Sequence, residues 1–283
     1  MYKAISTDCL GFSLTFKEVA RTIFELHYEG FWFNFSRDCA SSAGETVELL
    51  DRHALLPAGF ILPVNLRKDQ ATFDEDLQRL PAFGKFAREV GLTRCITAIA
   101  PGSDERDYRE NFEHHRTMLR KVCELLGEQG ISLGLEFVGT PERRAIRRFG
   151  FIHNLDQMLE LCAAIAMPNC GLLLDSWHWL MAEQSYSDFA KIAGADQIVL
   201  VHINDAPPGK LPEEQLDAER CLPGETGVIA IDEFFRGVLS LGYEGPVVAE
   251  PFDAKLATLP FAEAANRVMD AMARVWPESN HEN

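Results

Sequence analysis

The stretch GLLLDSWHWLM, Gly171 to Met181, decides how the whole chain is read. Its opening run, Gly171 to Leu174, has the character of a strand buried on both faces, and such strands belong to parallel sheets covered by helices. Asp175 ends that run abruptly, and His178 follows three residues later between Trp177 and Trp179. A carboxylate at the end of a buried strand is costly unless something compensates it, so Asp175 requires a partner.

Outward from this stretch, short apolar runs alternate with amphipathic ones. The strand-like runs are KAISTDC from Lys3, GFWFNF from Gly30, GFILPV from Gly59, RCITAIA from Arg94, ISLGLEFV from Ile131, CGLLLD from Cys170, QIVLVHI from Gln197 and PVVAEPF from Pro246. Between them, segments such as DLQRLPAFGKFAREVG, NFEHHRTMLRKVCELLGEQG, NLDQMLELCAAIA and IDEFFRGVLSLG carry helical periodicity, several with a glycine placed to stop a helix. Eight strand and helix pairs of about 35 residues predict an α/β fold, a single-domain (β/α)8 or TIM barrel, with its active site at the carboxyl ends of the strands. No linker or low-complexity tract divides residues 1–283. One connection, residues 204–228, is far longer than an ordinary βα loop, and its prolines and LPGETG turn predict a lid or pocket wall of defined shape.

Composition bounds the partners. With 283 residues and 47% apolar composition the chain can bury a large core, and 27 basic against 43 acidic side chains give a formal charge of −16. That charge repels nucleic acid and anionic membrane surfaces. The start, MYKAISTDCLGF, has neither a basic n-region nor a long apolar stretch, so the chain is expected to be soluble and unexported. Seven cysteines without a C-x-x-C pair read as reduced thiols of a cytoplasmic protein.

The last four strand-like runs each deliver one potential metal ligand to the same rim: Glu136, Asp175, His202 and Glu250. Three carboxylates crowded together repel one another unless a cation neutralises them, so one divalent metal ion is the simplest partner for Asp175. Carboxylates with one imidazole suit Mn²⁺, Mg²⁺, Co²⁺ or Zn²⁺ and leave positions for substrate oxygens. His178, flanked by Trp177, is expected in the loop just above the ion, where aromatic walls and polar groups suit a polyol. Arg143, Arg144, Arg147 and Arg148, in PERRAIRRF, read as a solvated face, a holder for an anionic substrate, or a contact to another subunit.

The segments GLEFVGTPE, GLLLDSWHW, VHIND, DAERCLPGETGVIAIDEF and PVVAEPF resemble the xylose-isomerase-like barrel superfamily of sugar isomerases and epimerases. Within it they most resemble the 2-keto-myo-inositol (inosose) isomerases, with ketose 3-epimerases such as the D-tagatose 3-epimerases next. The resemblance implies that Glu136, Asp175, His202 and Glu250 hold one divalent metal, and that His178, Arg220 and Glu142 contact substrate. Glu142 follows the epimerase pattern and not the inosose isomerase one, so the chain mixes two subfamilies.

Such a site removes a proton beside a carbonyl and returns it through a metal-stabilised enediolate, with Glu136 and Glu250 as the acid/base pair. Return to the adjacent carbon isomerises; return to the opposite face epimerises. The expected substrate is a small sugar or keto-polyol. A lyase, dehydrating an inosose or cleaving a 3-keto glycoside, is the alternative, and a non-catalytic sugar-binding barrel a minor one. Homo-oligomer formation stays open.

Overall fold

Eight parallel strands hydrogen-bond to one another in chain order and close on themselves. They are β1 (Tyr2–Ile5), β2 (Gly30–Phe33), β3 (Leu56–Ile61), β4 (Arg94–Ile99), β5 (Ser132–Phe137), β6 (Cys170–Asp175), β7 (Ile198–Ile203) and β8 (Pro246–Ala249). The computed structural model describes residues 1–38 and 42–278. Around the barrel run α1 (Phe16–Glu25), α2 (Ala43–Arg52), α3 (Gln70–Val90), α4 (Tyr108–Gly127), α5 (Leu155–Ile165), α6 (Ser176–Met181), α7 (Ile231–Ser240) and α8 (Phe261–Val275). No described helix is long and apolar enough to cross a membrane.

The strands form where they do because both of their faces are covered. All six residues of β7 are buried, as are the last five of β5 and of β6. Each fully buried Leu, Val or Ile there contributes roughly 1.5–3 kcal/mol, and that packing fixes the polar groups at the same strands' carboxyl ends. The helices begin on side-chain caps: Asp69, Asp107 and Asn154 accept from Thr72, Glu110 and Gln157 backbone N–H groups at 2.8, 2.9 and 3.0 Å. Gly91 ends α3 in the left-handed conformation, as its position in the sequence suggested.

Two elements depart from the sequence reading. The third strand begins at Leu56, three residues before Gly59. Gly59 marks a bulge inside the strand: the pairing with β2 shifts register there, its φ is +151°, and a Cβ would lie 2.2 Å from the Trp32 ring. After β6 there is no full helix. Six-residue α6 and a 3-10 turn, Tyr186–Lys191, replace it, joined by Trp179 stacking on Phe189 with ring centroids 4.3 Å apart.

Six cysteines lie within the described residues, all free, with Cys9, Cys95, Cys123 and Cys162 buried; Cys39 lies outside the described residues.

Candidate active site

Strand register sets the height of the site. Asp175 pairs with His202 across β6 and β7, and His202 pairs with Val248, two residues before Glu250, across β7 and β8. Glu136 is the penultimate residue of β5. One donor atom from each of Glu136, Asp175, His202 and Glu250 lies within 4.8 Å of the other three. His202 Nδ1 stands 3.9 Å from Glu136 Oε1 and 3.5 Å from Glu250 Oε2.

The residues present fit a divalent ion. Glu136 Oε1 and His202 Nδ1 are both buried without a hydrogen-bond partner. Leaving such groups unpaired costs about 1–3 kcal/mol each, a cost that a cation between them removes. Burial, and then the Glu250 and Asp175 charges, push the Glu136 carboxyl well above its usual range, the signature of a negative cluster short of positive charge.

Asp175 finds its first partner elsewhere than the sequence reading placed it. Its Oδ1 accepts from the Trp177 backbone N at 2.7 Å, capping α6, and from Asn204 Nδ2 at 2.9 Å. Its Oδ2 accepts from Arg220 Nη1 at 2.8 Å, and the same nitrogen donates to Glu250 Oε2 at 2.8 Å. Burial alone would raise Asp175, but Arg220, His178 and His202 together hold it below the ordinary carboxylate range. Arg220, expected to serve substrate alone, therefore also braces two of the four candidate ligands.

The long loop supplies Arg220 and forms a wall of the cavity. Its neck is tied by Asp205, whose carboxylate accepts from the backbone N–H groups of Ala206, Thr226, Gly227 and Ile229 at 2.8–2.9 Å. Asp217, on the same loop, accepts from Thr140 Oγ1 and Arg220 Nη2, both at 3.1 Å, and lies 3.7 Å from Arg143 Nε. Sequence reading passed over Asp217, though its place three residues before Arg220 was a usable signal. It also passed over Cys9, a buried thiol at the end of the first strand-like run whose Sγ lies 3.7 Å from Glu250 Oε1.

The cavity over this cluster has a volume of about 450 Å³, within the range of small-molecule sites. Glu136, His202, Glu250, His178, Arg220 and Asp217 line its polar side; Ile61, Val64, Ile96 and Val138 line its apolar side. His178 Nε2 is 3.4 Å from Arg220 Nη2, and burial together with Arg220 holds the imidazole pKa below its usual value against the opposing pull of Asp175.

Two expected substrate contacts are not on the cavity wall. Trp177 is fully buried behind it, donating Nε1 to Thr140 Oγ1 at 2.9 Å under the Arg220 guanidinium. Adjacent residues on a helix point about 100° apart, so α6 aims His178 at the cavity and Trp177 into the barrel wall. Glu142 is likewise absent from the cavity lining. It sits on the single helical turn Pro141–Ala145, whose next residue, Arg143, takes the inward face. Of the four clustered arginines, Arg143 and Arg147 line the cavity, whereas Arg148 packs on the Phe149 ring.

Comparison with known proteins places this geometry in context. The family described as "Xylose isomerase-like TIM barrel" matches residues 14–275. The chain is 25% identical over 212 residues to an inosose isomerase of Halalkalibacterium halodurans, covering 74% of this chain and 70% of that one. It is also 25% identical over 160 residues to a ketose 3-epimerase of Arthrobacter globiformis, covering 56% of this chain but only 47% of the relative. Among solved structures, the IOLI protein "with a binding zinc atom" superposes with a TM-score of 0.83 at 18% identity, over 97% of this chain and 98% of that one.

Proposed function

Because the chain belongs to the xylose isomerase-like TIM barrel family, we propose that its barrel mouth isomerises or epimerises a keto-polyol of the sugar or inosose class. In this reading Glu136, Asp175, His202 and Glu250 hold one divalent metal ion. The observation that carries it is the convergence of four donor atoms within 4.8 Å, two of them buried and unpaired, with Glu136, His202 and Glu250 lining a cavity of polyol size. Similarity to an inosose isomerase and a ketose 3-epimerase supports the reaction class.

When bound, the ion supplies Lewis-acid polarisation of substrate oxygens and offsets the negative charge of the cluster. The chain's own residues do the rest. Glu136 Oε1 and Glu250 Oε2 both approach His202 Nδ1, at 3.9 and 3.5 Å, and in this reading one carboxylate takes the proton from the carbon beside the carbonyl and the other returns one. Return to the neighbouring carbon moves the carbonyl; return to the opposite face of the same carbon inverts it. His178 and Arg220 orient substrate oxygens, and Arg220 adds a fixed positive charge where negative charge develops. Asp217 holds Arg220 Nη2 and ties the loop to Thr140 beyond β5.

The test is turnover in D₂O by the metal-loaded protein with inososes and ketohexoses. The expected product has the mass of the substrate plus solvent deuterium on the carbon next to the carbonyl. Turnover without label removes the exchange between two carboxylates and leaves a hydride shift or a proton shielded from solvent, and a product lighter by one water identifies a dehydratase instead.

A further inference from the structure

The cavity does not end at the reacting groups. A second cavity, of about 590 Å³, adjoins the first, and the two share Leu66, Arg67, Ala100 and Arg147 in their walls. None of the carboxylate cluster lines the outer cavity; Lys68, Arg106 and His115 do. In a chain of formal charge −16, this is a local reversal of sign along one continuous space.

The acids of the outer cavity are already engaged. Asp104 Oδ2 accepts from Arg147 Nη1 at 2.7 Å, and its Oδ1 from the Arg148 backbone N at 3.0 Å. Asp69 caps α3, and Glu105 lies 3.8 Å from Arg106. Arg67 and Lys68 have no carboxylate within 4.0 Å among the described residues. Burial and the neighbouring arginines lower the His115 pKa to about 4, so the positive charge there belongs to the guanidinium and ammonium groups.

Arg147 is mounted rather than loose. Gly102–Ser103 and Phe149–Gly150 pair antiparallel just beneath it, and Gly102 approaches so closely that a Cβ would lie 2.6 Å from Arg147 Cβ. Asp104 holds one end of the guanidinium, and Arg147 lines both cavities. A planar guanidinium fixed in this way suits a phosphate or carboxylate, which it can bind through two parallel hydrogen bonds.

We infer that the substrate is an anion-bearing keto-polyol, its carbonyl end among Glu136, His202 and Glu250 and its phosphate or carboxylate at Arg67 and Arg147. The inference rests on the proposed reaction for the inner end and adds the substrate class. Glu136, His202 and Glu250 line only the first cavity, whereas Arg67 and Arg147 border both.

Calorimetric titration with D-fructose, D-fructose 6-phosphate and 5-keto-D-gluconate tests it. The expected result is binding of at least one anion ten times or more tighter than fructose, weakening as NaCl is raised, and the stronger of the two anions identifies phosphate or carboxylate. Arg67→Gln with Arg147→Gln brings the anions to within twofold of fructose. Arg67→Gln alone, at an exposed side chain, gives part of that loss, and Arg236→Gln on the distant α7 keeps the preference. Equal or absent binding of all three ligands overturns the inference, as does a preference that survives the double change. Solvent-deuterium uptake reads the inner end separately. Label without an anion preference leaves the proposed reaction standing and removes the anion site; an anion preference without label does the reverse.

Discussion

The two halves of the barrel rim are built from the same strand geometry and carry opposite chemistry. β1 to β4 end in Ile5, Phe33, Ile61 and Ile99, whereas β5 to β7 carry Glu136, Asp175 and His202 at or next to their ends, and Glu250 follows β8 by one residue. In the second half these polar groups stand on strands whose burial leaves them little freedom, which suits donors that must converge on one point. In the first half the strands offer an apolar wall, Ile61 and Ile96, and the charged residue lining the cavity, Arg67, comes from a loop. In the proposed reading, reaction chemistry is fixed to the sheet and recognition is hung on segments that can vary without disturbing it.

The largest expected effect lies in the second half. Glu250→Gln keeps the side chain's size and one acceptor oxygen but removes the base, and turnover should fall by roughly 10²–10⁴, measured at matched metal occupancy. Wild-type deuterium exchange in that variant would take Glu250 out of the acid/base pair and move chemistry away from this rim. His202→Ala should come next, lowering affinity for Mn²⁺ or Zn²⁺ by at least about 10–100-fold, the scale on which even outer partners of metal ligands act. Elemental analysis after dialysis checks it, and full retention of metal would leave the imidazole without a ligand role. The smallest effect belongs to the first half. Ile61→Ala, at a side chain 42% exposed, should alter stability by no more than about 0.5 kcal/mol. It should also change kcat/KM by less than about tenfold, the least that an enclosed methylene costs. A hundredfold loss there would break the division between the halves.

The same division governs what the sequence could reveal. Glu136, Asp175, His202 and Glu250 were legible because each interrupts an apolar run, and a charge in that position is expensive enough to need a reason. The barrel was legible from the repeat of such runs. Arg220 stood out only through resemblance, and its bond to Asp175 joins residues 45 apart across a loop with no periodicity to read. Asp217 lay in the same loop, marked only by its place three residues before Arg220. Trp177 was hard to place because a short helix turns each successive side chain by about 100°, so a shift of one residue exchanges cavity for core, and Glu142 was read from the epimerase spacing although it is its neighbour Arg143 that lines the cavity. Gly59 looked like a boundary because a glycine at a bulge and a glycine at a turn leave the same mark in a sequence.

Asp205 gives the long loop a property that its length alone would not. One buried carboxylate knots residues 204–206 to 226–229, so the span between behaves as a cassette with a closed neck. Doubling such a span adds only about 0.6 kcal/mol of closure cost. The exposed tip around Leu211 is therefore open to insertion and exchange, while the neck continues to present the barrel with the same two anchor points. Descendants of this chain could change what they admit to the cavity by editing that tip, generation after generation, without renegotiating the strands that hold the reacting groups.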